Sequence, residues 1–278
     1  MIGQGETLQE AEAKAIEIMG HELASHLSLV QEGHNLIGFS IIAVPEGPIL
    51  DLPLSLKVST NLLVRISNDL RGAAILAERG YPLQALTLAA SIYEATMQVA
   101  YLGNDEKIAQ EWVDHDKPDI FFRKIEQLTK EVFKKLRIPD PDGQAKRDYR
   151  VYQQFCMAKH LNPLLQQHYG FQRRGQLVVA QNGPDWSDLS IKGAWFALDY
   201  SERFVYIALA TFVSSHVPSE KQADLAEQIN LFAAKRKELN QAAQKKWGPG
   251  DAFQGKWRSF EKGGVTVGAR LETAWHGQ

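Results

Sequence analysis

Cysteine is almost absent from this chain: there is one, Cys156, in 278 residues. A single thiol cannot close an internal disulfide or furnish a Cys-rich zinc site. A charge excess is missing as well. Thirty-one Lys and Arg stand against thirty-three Asp and Glu, a net charge of −2, which excludes a generic electrostatic grip on nucleic acid. Long hydrophobic runs are lacking. The stretch 36–50 is broken by Pro45 and Pro48, and the longer stretch 194–217 contains Asp199, Glu202 and Arg203. Neither offers the roughly 20 predominantly apolar residues that a membrane-spanning helix requires, so no membrane contact is expected. The first fifteen residues are polar and acidic, unlike a secretory leader, and a cytoplasmic location is the expectation. No P-loop, no Gly-x-Ser-x-Gly elbow and no strand-preceded dinucleotide glycine pattern occurs, and no cofactor is expected.

What the chain has is helical periodicity. Ala11, Ala15, Ile18, Leu23 and Leu27 mark a helix from Thr7 to about Gln31, followed by an irregular apolar connector over 36–53. Leu62, Ile66, Leu70, Ala73 and Ala77 form a stripe at helical spacing. The run Arg79-Gly80-Tyr81-Pro82 then ends one helix and begins another, because Gly suits a left-handed C′ position and Pro the first helical turn. Helices over 54–79 and 82–102 should therefore form an antiparallel hairpin. Further helices are expected over about 105–115, 120–136 and 144–160, the last capped by Asp142, and over 188–215. Ser219 and Gln222 suggest a capping box that opens a final helix to about 246. Residues 176–180 are the best strand, closed by Asn182-Gly183-Pro184. The expected fold is all-α, an antiparallel helical bundle with at most one short β-hairpin near 171–181. Its expected organisation is an N-terminal helix and connector (1–53), a main bundle (54–246) and a Gly-rich C-terminal extension packed on the bundle (247–278).

Candidate chemistry is sparse. His21 and His26 look like a zinc motif but are five apart, which sets them roughly 140° apart around a helix; no metal site is expected there. Asp114-His115-Asp116 reads as a solvated helix end, and Asp140-x-Asp142-Gly143 as a turn without the ligands that complete a calcium loop. Cys156 and His160 share a helix face, yet a free Cys is more often a half-buried small residue. Glu94 is the only charged residue between Leu86 and Leu102. In the hairpin it lies level with about position 67, so Arg65 and Arg71 flank it. A structural ion pair of Arg65 with Glu94 is expected, with a perturbed charge in a cleft as the alternative. Lys159, His160 and Asn162 sit where a helix should break, after aromatic residues at 149, 152 and 155. His160 could act as acid or base there. Basic clusters at 134–137, 146–147, 173–174, 235–237 and 245–246 keep RNA open, although acids lie near each of them.

The hairpin 62–103, the helix ending in Lys159-His160-Leu161-Asn162-Pro163, the Gly183-Pro184 turn and the long helices after it resemble an uncharacterised bacterial helical-domain family. That family is related to the HEPN (higher eukaryotes and prokaryotes nucleotide-binding) group, and the resemblance covers about residues 55–215. It implies a homodimer in a bacterial stress or defence system that binds RNA or cleaves it as a metal-independent endoribonuclease. In such an enzyme a His takes the 2′-hydroxyl proton and an Arg shortly before it stabilises the phosphorane. By position His160 is the catalytic His, with Lys159 beside it and Arg150, Asn162, Arg173 and Arg174 as binding residues. The chain departs from the pattern: Gln153, Gln154 and Phe155 stand where the Arg belongs, and Arg150 is ten residues before His160. A match in spacing, Arg270 to His276, falls in the Gly-rich tail. A non-catalytic protein-interaction or sensor module is the alternative. An enzyme would set His160 in an open, basic cleft; a module would leave the same residues buried and satisfied.

Overall fold

A computed structural model describes residues 7–115, 123–160, 171–174, 177–180 and 183–247; for the two strands it describes the backbone alone. Among the described residues eight helices run in the order α1 (Leu8–Ile42), α2 (Leu54–Glu78), α3 (Pro82–Leu102), α4 (Glu106–Val113), α5 (Ile125–Lys135), α6 (Pro141–Lys159), α7 (Asp188–His216) and α8 (Ser219–Trp247). A two-stranded antiparallel hairpin, β1 (Phe171–Arg174) and β2 (Leu177–Ala180), precedes α7 and pairs Phe171 with Ala180 and Arg174 with Leu177. The fold is an all-α helical bundle. No described helix is long and apolar enough to cross a membrane.

α1 begins where the sequence places it. The Thr7 hydroxyl accepts from the Glu10 amide at 3.2 Å while the Glu10 carboxylate accepts from the Thr7 amide at 2.8 Å, a reciprocal capping box. The helix then runs well past Gln31 to Ile42, which corrects the connector expected from residue 36. The reason is a continuous stripe at spacings of three and four: Met19, Leu23, His26, Val30, Gly33, Ile37 and Ser40 are all buried. The apolar Phe39 and Ile42, 54% and 78% exposed, face outward. The prolines interrupt the chain only afterwards. α1 packs along α2, α7 and α8 in the common core, so over residues 8–42 the expected N-terminal segment is a member of the bundle. Gly33 allows α8 to approach, since a Cβ there would meet the Phe232 ring at 3.2 Å.

The α2–α3 hairpin forms as the periodicity predicts. Gly80 has φ +81°, and the Tyr81 amide donates to the Leu76 carbonyl at 2.8 Å and the Gly80 amide to Ala77 at 3.1 Å, the paired bonds of a Schellman stop. Pro82 opens α3. The same glycine receives the turn before α7: the Asp185 amide donates to the Gly80 carbonyl at 2.9 Å. A Cβ at residue 80 would lie 2.9 Å from the Asp185 backbone. Gly80→Ala therefore meets both a left-handed φ and a backbone clash. We expect it to lower stability by about 2 kcal/mol; an unchanged urea midpoint would refute this.

Two further caps differ from expectation. Asp140, not Asp142, is the N-cap of α6; it adopts φ +51° and accepts from the Gly143 amide. Gln222 donates to the Val217 carbonyl at 2.7 Å, so it holds the carbonyl before α8 instead of completing a box with Ser219.

α7 is the central helix. It packs against α1, α2, α3 and α8, and Trp195, Phe196, Phe204 and Phe212 are at most 2% exposed. An element buried on nearly all sides should be apolar all round. α7 nevertheless carries Asp199 and Glu202 at 1% and 0% exposure, and these charges organise the interior described below.

Candidate functional site

The end of α6 carries the residues that the sequence singles out. Ala145, Asp148, Tyr152, Phe155 and Ala158 form its buried face, again at spacings of three and four. This face stacks Tyr152 on Tyr93 of α3 with ring centroids 4.9 Å apart and sets Phe155 among Phe196, Tyr200 and Phe204. Glu94 lies in the same seam, 8% exposed. Its Oε1 accepts from the Tyr152 hydroxyl at 2.8 Å and from Lys159 Nζ at 3.2 Å.

This geometry corrects the expected Arg65–Glu94 pair. Arg65 donates to the Ser91 hydroxyl at 3.0 Å and lies 3.7 Å from Asp69, and Ser91 donates to Asp69 at 2.6 Å. The level of the hairpin was legible, since Ser91 does face Asp69. The rotation was not. Three residues on from Ser91, Glu94 is turned by about 60° around α3, away from Arg65 and toward α6.

Lys159 is thus engaged by a carboxylate. Arg150 is exposed, and nine residues at 100° each place it on the opposite side of α6 from Lys159. The two do not converge. His160 is the exposed C-cap residue of α6. Asn162 lies outside the described residues, as do the side chains of Arg173 and Arg174 and the pair Arg270 and His276; Arg173 and Arg174 themselves are on β1. Cys156 is half-buried beside Tyr152, and burial raises its thiol pKa, which disfavours the thiolate a nucleophile requires. The basic clusters are partly neutralised: Lys134 lies 3.6 Å from Asp142, Arg147 3.5 Å from Asp140 and Lys235 2.8 Å from Glu32, and Lys246 pairs with Glu22.

A second polar centre, between α1, α6, α7 and α8, was not foreseen. His26 Nδ1 sits 3.0 and 3.1 Å from the two Glu202 oxygens. One turn away, Asp199 Oδ2 accepts from Arg236 at 2.6 Å and from Asn240 at 2.7 Å, and the Asp199 carbonyl takes a further Arg236 bond at 3.1 Å. Arg203 clasps Asp148 with two parallel bonds of 2.9 and 2.8 Å, a bidentate pair. Burial pushes the Glu202 carboxyl up to about 7. For His26, burial works to lower the pKa, but the Glu202 carboxylate outweighs it and the value rises. Both shifts favour proton binding, and the imidazole and carboxylate are placed to share a proton away from the surface.

The signal for this centre was in the sequence. Asp199, Glu202 and Arg203 interrupt an apolar helix in the way Glu94 does, and a buried charge needs a partner. His21, the other member of the apparent zinc motif, stands at the surface with an 87% exposed side chain. Among the described residues no group of three His, Cys, Asp or Glu is placed to hold a metal ion.

Comparison of the chain with family models, with curated proteins and with solved structures gave no match.

Proposed function

We propose that this protein is a non-catalytic interaction or sensor module built on a helical bundle. One observation carries this reading: Lys159, the cation adjacent to His160, is 3.2 Å from Glu94, whose Oε1 also takes the Tyr152 hydroxyl. Glu94, held in place by its second bond, neutralises the charge that a phosphate-binding cation beside a catalytic His would need. Arg150, another expected contact, is on the far side of the helix. The arrangement supports a structural latch between α3 and α6. The protein partner and the homodimer expected from the resemblance belong to this proposal.

A second reading has an observation of its own. His160 is exposed at the end of α6, where an imidazole can reach a large ligand, and this supports a HEPN-like protein of a bacterial stress or defence system that binds or cleaves RNA. Incubation of the purified protein with mixed single-stranded and structured RNA in EDTA separates the two. The module reading expects intact RNA with the wild type and with His160→Ala. Cleavage by the wild type that falls at least tenfold in His160→Ala would overturn it and establish the metal-independent nuclease.

A further inference from the structure

A groove of about 240 Å³ opens between α1 and α2, well away from the end of α6. The two helices are antiparallel, and two contacts set their level: His34 Nδ1 lies 2.7 Å from the Ser67 hydroxyl, and a Cβ on Gly20 would lie 3.5 Å from Glu78 Oε1. Along the groove, His34 and Ser67 therefore stand at one end. Arg71 comes one turn later, and Glu78 closes the other end, seven residues and about 10 Å beyond Arg71 along the axis. Between them Leu27, Val30, Ala74 and Ile75 supply apolar wall, with the polar Gln31 beside them.

The polar ends are asymmetric and keep unused hydrogen-bonding groups. Arg65 on α2 and Arg79 at its C-cap have carboxylates at 3.7 and 3.4 Å. Arg71 is exposed and has no ion pair or hydrogen bond among the described residues, and Glu78 likewise has none. His34 is half-buried and bonded through Nδ1 alone. When Ser67 donates to Nδ1, the imidazole carries its proton on Nε2 and offers a second donor in the groove that Arg71 also lines.

We propose that this groove binds a small carboxylate with an apolar body. The head accepts a bidentate pair of bonds from Arg71, a geometry for which guanidinium is suited, and a bond from His34. The body covers Leu27, Val30, Ala74 and Ile75, as in small-molecule sites where an apolar lining carries a few placed polar groups. Glu78 disfavours a second carboxylate at the far end, so a monocarboxylate is preferred to a dicarboxylate of similar length. This assignment rests on the sensor-module reading and names its ligand class.

The test is titration of the whole protein with hexanoate, followed by calorimetry and by the His34 imidazole resonances. The expected result is saturable binding with a Kd of about 1 mM and a shift of the His34 signals. Arg71→Gln, at an exposed position, should keep the wild-type melting temperature and weaken hexanoate at least tenfold. Acetate and hexylamine should bind at least tenfold more weakly than hexanoate, and adipate several-fold more weakly. Absence of saturable binding, equal binding by Arg71→Gln, or equal binding of hexylamine would each overturn the assignment. The RNA experiment reads a different property: cleavage there refutes the module, whereas loss of hexanoate binding with RNA intact refutes only the groove.

Discussion

Arg203→Met is expected to destabilise the protein by about 3 kcal/mol, because it strands a buried carboxylate. Asp148 is 2% exposed and receives both Arg203 bonds. Its remaining donor is the Gln144 side chain at 3.0 Å. Removing one partner of a buried pair costs about 3–5 kcal/mol, since the other charge stays desolvated without compensation. The lower end applies here, as the Arg203 side chain keeps 23% exposure and water can reach the space it leaves. Replacing both members, Asp148→Leu with Arg203→Met, should recover most of the loss, because the desolvation of both ions is then avoided. Urea unfolding of the three variants measures this. If the double variant were as unstable as the sum of the singles, the pair would not be the unit that holds α6 to α7.

The second large effect is on pH. Glu202 has its pKa raised from 4.5 to about 7 by burial, and His26 is raised above 6.5 by Glu202. Both groups bind protons more readily in the folded chain than in the unfolded one. Their stabilising contribution is therefore complete below the unfolded values and is lost as pH rises through the folded ones. His216 acts in the opposite sense: burial lowers its pKa, so its contribution grows as pH rises. The difference between wild type and Glu202→Gln isolates the pair. Between pH 5.5 and 8.5 the wild type should lose on the order of 2 kcal/mol relative to the variant, because each tenfold change in proton affinity is worth about 1.4 kcal/mol. A difference that stays flat or moves in favour of the wild type over that range would show that the folded protein holds no extra proton at this pair. Because the charges facing this pair come from α7 and α8 (Asp199 and Arg236), the amide protons of α8 are where the loss should register first in hydrogen exchange.

These two centres show where the sequence could be followed and where it could not. The hairpin was legible because Gly80 and Pro82 are local signals: each residue's own backbone preference decides the turn. The stripe of α2 was legible for the same kind of reason. The end of α1 is not legible because the apolar, proline-bearing stretch 36–53 reads as an irregular connector, although every third or fourth residue through Ser40 continues the buried face of the helix. Glu94 was recognised as a charge in need of a partner, and the partner was misassigned to Arg65. Spacing along two chain-adjacent helices gives their level, but the choice of partner depends on which third helix covers the seam.

By itself the sequence determined the helical class, the α2–α3 hairpin and the place of the short β-hairpin. All of these follow from interactions within a few residues of the chain. The tertiary structure decided which charges meet: Glu94 with Lys159 across 65 residues, Arg203 with Asp148 across 55 and His26 with Glu202 across 176. Such pairs are fixed by the rotation of each helix about its axis in the packed bundle. A turn of 60° redirects a side chain to a different neighbour, and the apolar packing of all the helices together sets that rotation.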